Sequence, residues 1–183
     1  MRRPPGRPLE RKCLALAVLV VGFPPFTAAY AQSRDTEADR YAAVLRFVED
    51  LKADYPDVPT ISAESLKGAL PSADIVLVDV RSETERAVST LPGAITAEAF
   101  EERLGEFGRS GRRLVAYCTI GARSSAYARN MRARGVDMVN LEGSVLAWTH
   151  AGGMLSSDGV PTRRLHVYGR RWNLAADGYV TVW

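Results

Sequence analysis

Short apolar runs alternate with amphipathic stretches along most of this chain. From Thr36, EADRYAAVLRFVEDLKADY places Tyr41, Val44, Leu45, Phe47, Val48 and Leu51 on one side at helical spacing and stops before Pro56. That pattern predicts an amphipathic helix, which either docks on a domain or holds a partner. Beyond Pro56 the rhythm changes. Pro59 to Ile61 suits a brief strand, and Ser62 caps a helix from about Ala63 to Leu70. Ile75 to Val80, IVLVDV, is a continuous β-branched run of the kind that forms a strand covered on both faces. Ser82 to Glu85, SETE, is a capping box that opens the next helix. Leu91 to Ile95 is a turn into a short strand, and AEAFEERLGEF is a helix closed by Gly108 and the turn at Ser110-Gly111. Arg113 to Cys118 is a second buried strand, SSAYARNMRAR a helix ended by Gly135, DMVNL a strand, and SVLAWTHAGG a last helix. Strands and helices alternating at this spacing predict an α/β fold: a central parallel sheet with helices on both faces.

The first 31 residues stand apart. A basic opening (MRRPPGRPLERK), an apolar run of 11 residues from Cys13 to Phe23, and a small-residue site at Ala29-Tyr30-Ala31 make the three parts of a secretory signal peptide, with a cut after Ala31. The run falls short of the roughly 20 apolar residues that span a bilayer, so no permanent membrane anchor is expected. Export, to the periplasm if the source is a bacterium, follows from that reading. The full chain of 183 residues has a formal charge of +3, but five bases and one acid lie in the first 31 residues. The remainder holds 19 bases against 20 acids, near −1. Nucleic acid is therefore not an expected partner. Cys13 leaves with the signal, and Cys118 becomes the one thiol of the mature chain, either reactive or paired between molecules. No four-cysteine metal site can form and two histidines supply no ligand spacing, so no metal is expected.

Cys118 ends a predicted strand and precedes the helix that begins near Ser124. Functional groups collect beyond the carboxyl ends of strands in such sheets. The amides of a tight strand-to-helix loop can form an anion cradle, reinforced by the helix dipole, and a cysteine there has its thiolate favoured. Gly121 gives the loop backbone freedom, and Arg123 can complete the cradle. A cysteine closing an apolar strand can equally be a small buried hydrophobe. The spacing alone leaves both readings open.

LVDVRSETE…LPGAI followed by VAYCTIGARSSAYARNMRARGVDMVNLEGSVLAW resembles the rhodanese-like (sulfurtransferase) domain. The similarity runs from about Val58 to Leu155 and keeps the parts in order: D-V-R after a strand, the P-G-A-I turn, the C-x-x-G-x-R-S loop and the L-x-G-x-x-x-A-W end. The resemblance implies that Cys118 is a nucleophile carrying a persulfide. By position, Thr119, Ile120, Gly121, Ala122 and Arg123 form the cradle around the substrate, and Ser124 starts the supporting helix. Asp79 and Arg81 match positions that brace the loop; a surface ion pair at a helix entry is the other reading. Trp148 matches the helix tryptophan, with a packing role, and His150 in the last turn is structural. No cofactor is implied. The expected partners are a small sulfur-containing anion or persulfide as donor and a thiol acceptor such as a thioredoxin-like protein, or cyanide.

Two departures from the family pattern stand out. Ser89-Thr90-Leu91 replaces the usual Gly-His-Ile before the turn. The loop also lacks the added Arg and Lys of dedicated thiosulfate sulfurtransferases, since Thr119 and Ile120 carry no charge. A persulfide or polysulfide donor then fits at least as well as thiosulfate. Phosphatases that resemble this fold carry C-x5-R, one residue longer than the C-x4-R from Cys118 to Arg123, so phosphatase or arsenate-reductase activity is a disfavoured alternative. A non-catalytic binding or redox-sensing module is the other alternative, because a shared fold does not fix function. Residues 32–55 read as an N-terminal helix, 56–155 as the rhodanese-like domain and 156–183 as a basic and aromatic extension. That extension either packs back on the domain, covers the loop as a lid, or docks an acidic partner through arginine and aromatic anchors.

Overall fold

The two longest apolar runs become the middle of a sheet. In the computed structural model, which describes Met1, residues 35–70 and residues 74–183, they form β2 (Ile75–Asp79) and β4 (Arg113–Tyr117). The signal-peptide reading, with its cleavage site, lies outside the described residues. With β1 (Thr60–Ile61), β3 (Ile95–Thr96) and β5 (Met138–Leu141) the order is β1-β5-β4-β2-β3, and every neighbouring pair is parallel. The α/β reading stands.

Both faces of β2 and β4 are covered, which is why their sequences do not alternate with polar residues. Leu77, Val115 and Tyr117 point into one core with Val44 of α1 (Glu37–Asp54), Leu66 of α2 (Ala63–Ala69) and Val145, Leu146 and Trp148 of α7 (Ser144–His150). The intervening Val76, Val78, Leu114 and Ala116 point into the other. There they meet Ala128 and Met131 of α6 (Ala122–Ala133), with Phe100 and Phe107. The expected capping box opens α3 (Glu83–Val88): the Ser82 hydroxyl accepts from the Glu85 amide while the Glu85 carboxylate accepts from the Ser82 amide.

The single helix expected over AEAFEERLGEF is two, α4 (Ala97–Glu102) and α5 (Leu104–Phe107), broken at Arg103. Packing explains the break. Phe100 and Phe107 would lie about 10 Å apart along one continuous helix. The interruption lets their rings stack at 5.4 Å in the second core.

The last thirty residues are more ordered than a loose tail. β6 (Leu155–Ser157) and β7 (Val160–Thr162) make a hairpin around Asp158-Gly159, both with positive φ, as a tight two-residue turn requires. β8 (Arg164–His166) pairs in parallel with β9 (Val180–Val182), and a 3-10 turn at Arg170–Trp172 lies between them. Leu165 and Val167 are fully buried, so this segment packs back on the domain. It docks where the family pattern departs: Thr90 and Ser156 exchange backbone hydrogen bonds of 2.8 Å, and the Ser89 hydroxyl donates to the Arg164 carbonyl at 2.6 Å. His150 joins three elements, with Nε2 2.8 Å from the Leu174 carbonyl and its ring stacked 4.6 Å from Tyr41 of α1. Among the described residues no helix is long and apolar enough to cross a membrane.

Trp148 is buried, donates from Nε1 to the Met154 carbonyl at 3.0 Å, and lies flat against Gly153. A Cβ on Gly153 would stand 2.1 Å from its Cε2. Gly153→Ala is therefore expected to destabilise by about 1–3 kcal/mol through overpacking, read as a lower midpoint in chemical or thermal unfolding.

Candidate active site

β4 delivers Cys118 to the carboxyl edge of the sheet, and α6 begins at Ala122, two residues earlier than its sequence suggests. The connecting loop is therefore short, and Gly121 turns it with φ of +119°. A side chain there would be strained, and its Cβ would come within 3.1 Å of Leu51 Cδ1 on α1. The amphipathic helix thus docks directly on the loop, with Val44 and Val48 buried beneath it.

Cys118 is 1% exposed and is the one free cysteine among the described residues. Its Sγ accepts from the Gly121 amide at 3.2 Å and from the Ser124 hydroxyl at 3.5 Å. Its own amide donates to Ser144 Oγ at 3.0 Å. A polar floor continues below: Ser124 Oγ, whose single proton serves either Cys118 Sγ or Asn140 Oδ1 at 2.6 Å, lies 3.3 Å from Ser144 Oγ. The first amides of α7 reach the loop from the other side, Val145 donating to the Cys118 carbonyl and Leu146 to that of Thr119, both at 3.2 Å. Burial pushes the Cys118 thiol up. Hydrogen bonds from the Ser124 hydroxyl and amide and the Gly121 amide, with the charge of Arg123, outweigh it, and the net direction is down.

The residues expected to form the cradle do so unequally. Ile120 and Ala122 line a pocket of about 170 Å³ that opens over Cys118. Thr119 and Arg123 also border it, but their polar atoms turn to one carboxylate. Arg123 donates from both terminal nitrogens to Glu85 at 2.7 Å, and the Thr119 hydroxyl donates to Glu85 at 2.9 Å. Arg123 is therefore shared: it is paired with Glu85, and its charge also acts on the Cys118 sulfur. Burial pushes Glu85 up, yet the bonds from Arg123 and Ser82 and the charge of Arg123 bring it down to about 2.

Asp79 and Arg81 are a buried pair rather than a surface one, with the Arg81 side chain fully enclosed. Arg81 donates to Asp79 from Nε at 3.0 Å and from Nη2 at 2.7 Å, and Nη2 also reaches the Ser89 carbonyl at 2.6 Å. Their link to the loop is indirect. The Tyr117 hydroxyl donates to Asp79 at 2.6 Å and accepts from the Leu91 amide at 3.0 Å, which fixes the residue before Cys118. Burial first, then Asp79, raises the Tyr117 phenol well above its usual range and keeps it a donor.

Sequence reasoning missed Glu85 as a site residue because its local role as a helix cap was sufficient to explain it. It also missed Asn140 and Ser144, which carry no motif. Tyr168 and Trp172 of the C-terminal segment line the same pocket as Ile120, a placement that no local signal announces.

Residues 62–151 match the family model described as the rhodanese-like domain. Among solved structures the chain is similar to a rhodanese-like domain protein from Staphylococcus aureus, at 30% identity over 50% of this chain and 91% of that one, with a TM-score of 0.44. It is similar to a rhodanese-related protein from Thermoplasma volcanium, at 20% identity over 55% and 99%, TM-score 0.48. A thiosulfate sulfurtransferase from Pseudomonas aeruginosa is similar at 25% identity over 67% of this chain, TM-score 0.51, and this chain spans 24% of its length. No curated protein matches the sequence.

Two outcomes follow from the electrostatics. Glu85 has a folded pKa of about 2 against an ordinary 4.5, so its stabilising contribution is present above pH 4.5 and is lost as pH falls toward 2. Glu85→Gln should lower stability at neutral pH and flatten that acid loss, as measured by denaturant unfolding at a series of pH values. The alkylation rate of Cys118 should reach half its plateau at a lower pH than a free cysteine does. Ser124→Ala should move that midpoint up.

Proposed function

The chain belongs to the rhodanese-like domain family through residues 62–151, and on that premise we propose that it is a sulfurtransferase working through a persulfide on Cys118. The observation that carries the reading is the hydrogen-bonded sulfur itself. Cys118 lies at the N-terminus of α6, under an open pocket, with donors from Gly121 and Ser124 aimed at Sγ and its thiolate favoured. A packed core thiol has no need of such donors; an anion does.

The reaction balances in two steps. The Cys118 thiolate attacks the outer sulfur of the donor, the donor's S–S bond breaks, and its electron pair leaves with sulfite from thiosulfate or with a thiolate from an organic persulfide. The Gly121 amide, the Ser124 hydroxyl and the positive end of α6 then stabilise the terminal sulfur of the Cys118 persulfide. An acceptor thiolate or cyanide attacks that sulfur and restores the Cys118 thiolate. Ala122 and Ile120 shape the entrance, Arg123 and Thr119 hold the loop through Glu85, and Asp79 and Arg81 position Tyr117. A reduced partner of the thioredoxin-like kind fits the acceptor role. The amino-terminal segment supports export, to the periplasm in a bacterium.

Intact-mass measurement of the purified mature chain tests the proposal. Mixing with thiosulfate, and separately with polysulfide, should add the mass of one sulfur atom. Cyanide should remove it, and Cys118→Ala should never acquire it. A folded protein with a titratable thiol that gains no sulfur from either donor would favour the binding-module alternative.

A further inference from the structure

The segment after the family match does more than cover the core. The pocket over Cys118 is lined by Ile120, Ala122 and Arg123 of the loop and by Tyr168 and Trp172. Both aromatic residues come from the stretch between β8 and β9. That stretch is held at each end, by the fully buried Leu165 and Val167 and by the Val167 amide donating to the Val182 carbonyl at 2.9 Å. Trp172 is also backed by Phe47 of α1, with ring centroids 4.9 Å apart.

Tyr168 is unusual on two counts. It is 64% exposed, so burial does not explain an aromatic residue there. Its φ is +67°, a conformation that a bulky side chain rarely adopts and that costs on the order of 1–3 kcal/mol. The Tyr168 amide donating to His166 Nδ1 at 3.0 Å and the Gly169 amide donating to the Val167 carbonyl at 2.8 Å hold the turn in place. The consequence is a ring set over the Arg123 guanidinium, 5.1 Å from the centroid, at the mouth of the pocket. Strain of this kind, retained where the side chain gains little burial, points to what the ring meets.

Charge gives the second half of the inference. Arg123, the cation that lines the pocket, is paired with Glu85 and has one face of its guanidinium covered by Tyr168, so beside the charge it shares with Cys118 the loop offers neutral donors and a helix terminus. A compact dianion would give up much of its hydration here without a free cation in return. A monoanion needs less, and an apolar body attached to it would lie against the two rings. Arg171 lies over the Trp172 ring at 4.8 Å and is not among the residues that line the pocket.

We propose that Tyr168 and Trp172 form an aromatic wall that selects sulfane sulfur carried on an organic monoanion over thiosulfate. This rests on the sulfur-transfer reading and names the donor class for it. The step is unchanged in its balance: the Cys118 thiolate takes the outer sulfur of R–SO2–S⁻, the S–S bond breaks, and the sulfinate R–SO2⁻ leaves with the electron pair.

Benzenethiosulfonate, methanethiosulfonate and thiosulfate serve as probes, each rate of Cys118 persulfide formation being followed by quenched single-turnover mass measurement and divided by the rate with free cysteine. The aromatic donor should load fastest and thiosulfate slowest. Tyr168→Gly suits the left-handed backbone and removes the ring, and it should reduce the benzene-to-methane rate ratio about three- to tenfold. Trp172→Leu should reduce it likewise. An unchanged ratio in both folded variants, or thiosulfate as the fastest donor, overturns the aromatic wall while leaving sulfur transfer standing. No sulfur gained from any of the three donors overturns both.

Discussion

The carboxylate of Glu85 is the point on which the geometry of this site depends. It is 1% exposed and accepts hydrogen bonds from Ser82, Thr119 and Arg123. The first of these closes the N-terminus of α3; the other two hold the ends of the loop that carries Cys118. One buried charge therefore couples a helix start on one strand connection to the reactive loop on another. Burying a carboxylate is tolerable only when it is paired and its oxygens are satisfied, and both conditions are met here. Removing Arg123 leaves the buried carboxylate with Ser82 and Thr119 alone as donors, whereas Arg123, partly exposed, retains water if Glu85 is removed. The loop conformation and the integrity of the domain are thus coupled.

A second buried pair performs the corresponding task on the strand side. Asp79 and Arg81 lock the end of β2, and Tyr117 carries that constraint across to β4 through its hydroxyl. The same hydroxyl accepts from Leu91, within the stretch that departs from the family pattern. Ser89 and Thr90, next to it, hold the C-terminal segment. The departure read in the sequence as a missing histidine is structurally an attachment point, and what it attaches supplies the pocket's aromatic side.

Much of this was legible because it is local. Ile75 to Val80 and Arg113 to Cys118 read as doubly covered strands from composition alone, and the sheet bears them out. Ser82 and Glu85 read as a capping box and are one. The second role of Glu85 was invisible because its partners lie 34 and 38 residues away and nothing in the spacing links them. The break at Arg103 was hidden for a related reason: helical periodicity continues through it, and only the need of Phe100 and Phe107 to meet in one core interrupts the backbone. The C-terminal strands are three residues long, too short for alternation to rise above chance. The Asp158-Gly159 pair is a hairpin signal that the reading of the sequence passed over.

The way the thiol is held explains why charge and selectivity are linked at this site. Full burial opposes the thiolate of Cys118, and the groups that reverse that effect are mostly neutral dipoles: a hydroxyl, two amides and the end of a helix. Arg123 adds its charge as well, shared between the sulfur and the Glu85 carboxylate with which it is paired. Neutral donors stabilise a single negative charge on sulfur whether that charge sits on the thiolate or, one atom further out, on a persulfide. They add little for a second negative charge in the same pocket, where a free lysine or arginine would be needed. On the sulfur-transfer reading we propose, a cradle built this way favours singly charged species at each stage, and leaves the uncharged part of a donor to be recognised by the remaining lining of the pocket. Here that lining includes Tyr168 and Trp172, placed by a segment that begins after the family match ends.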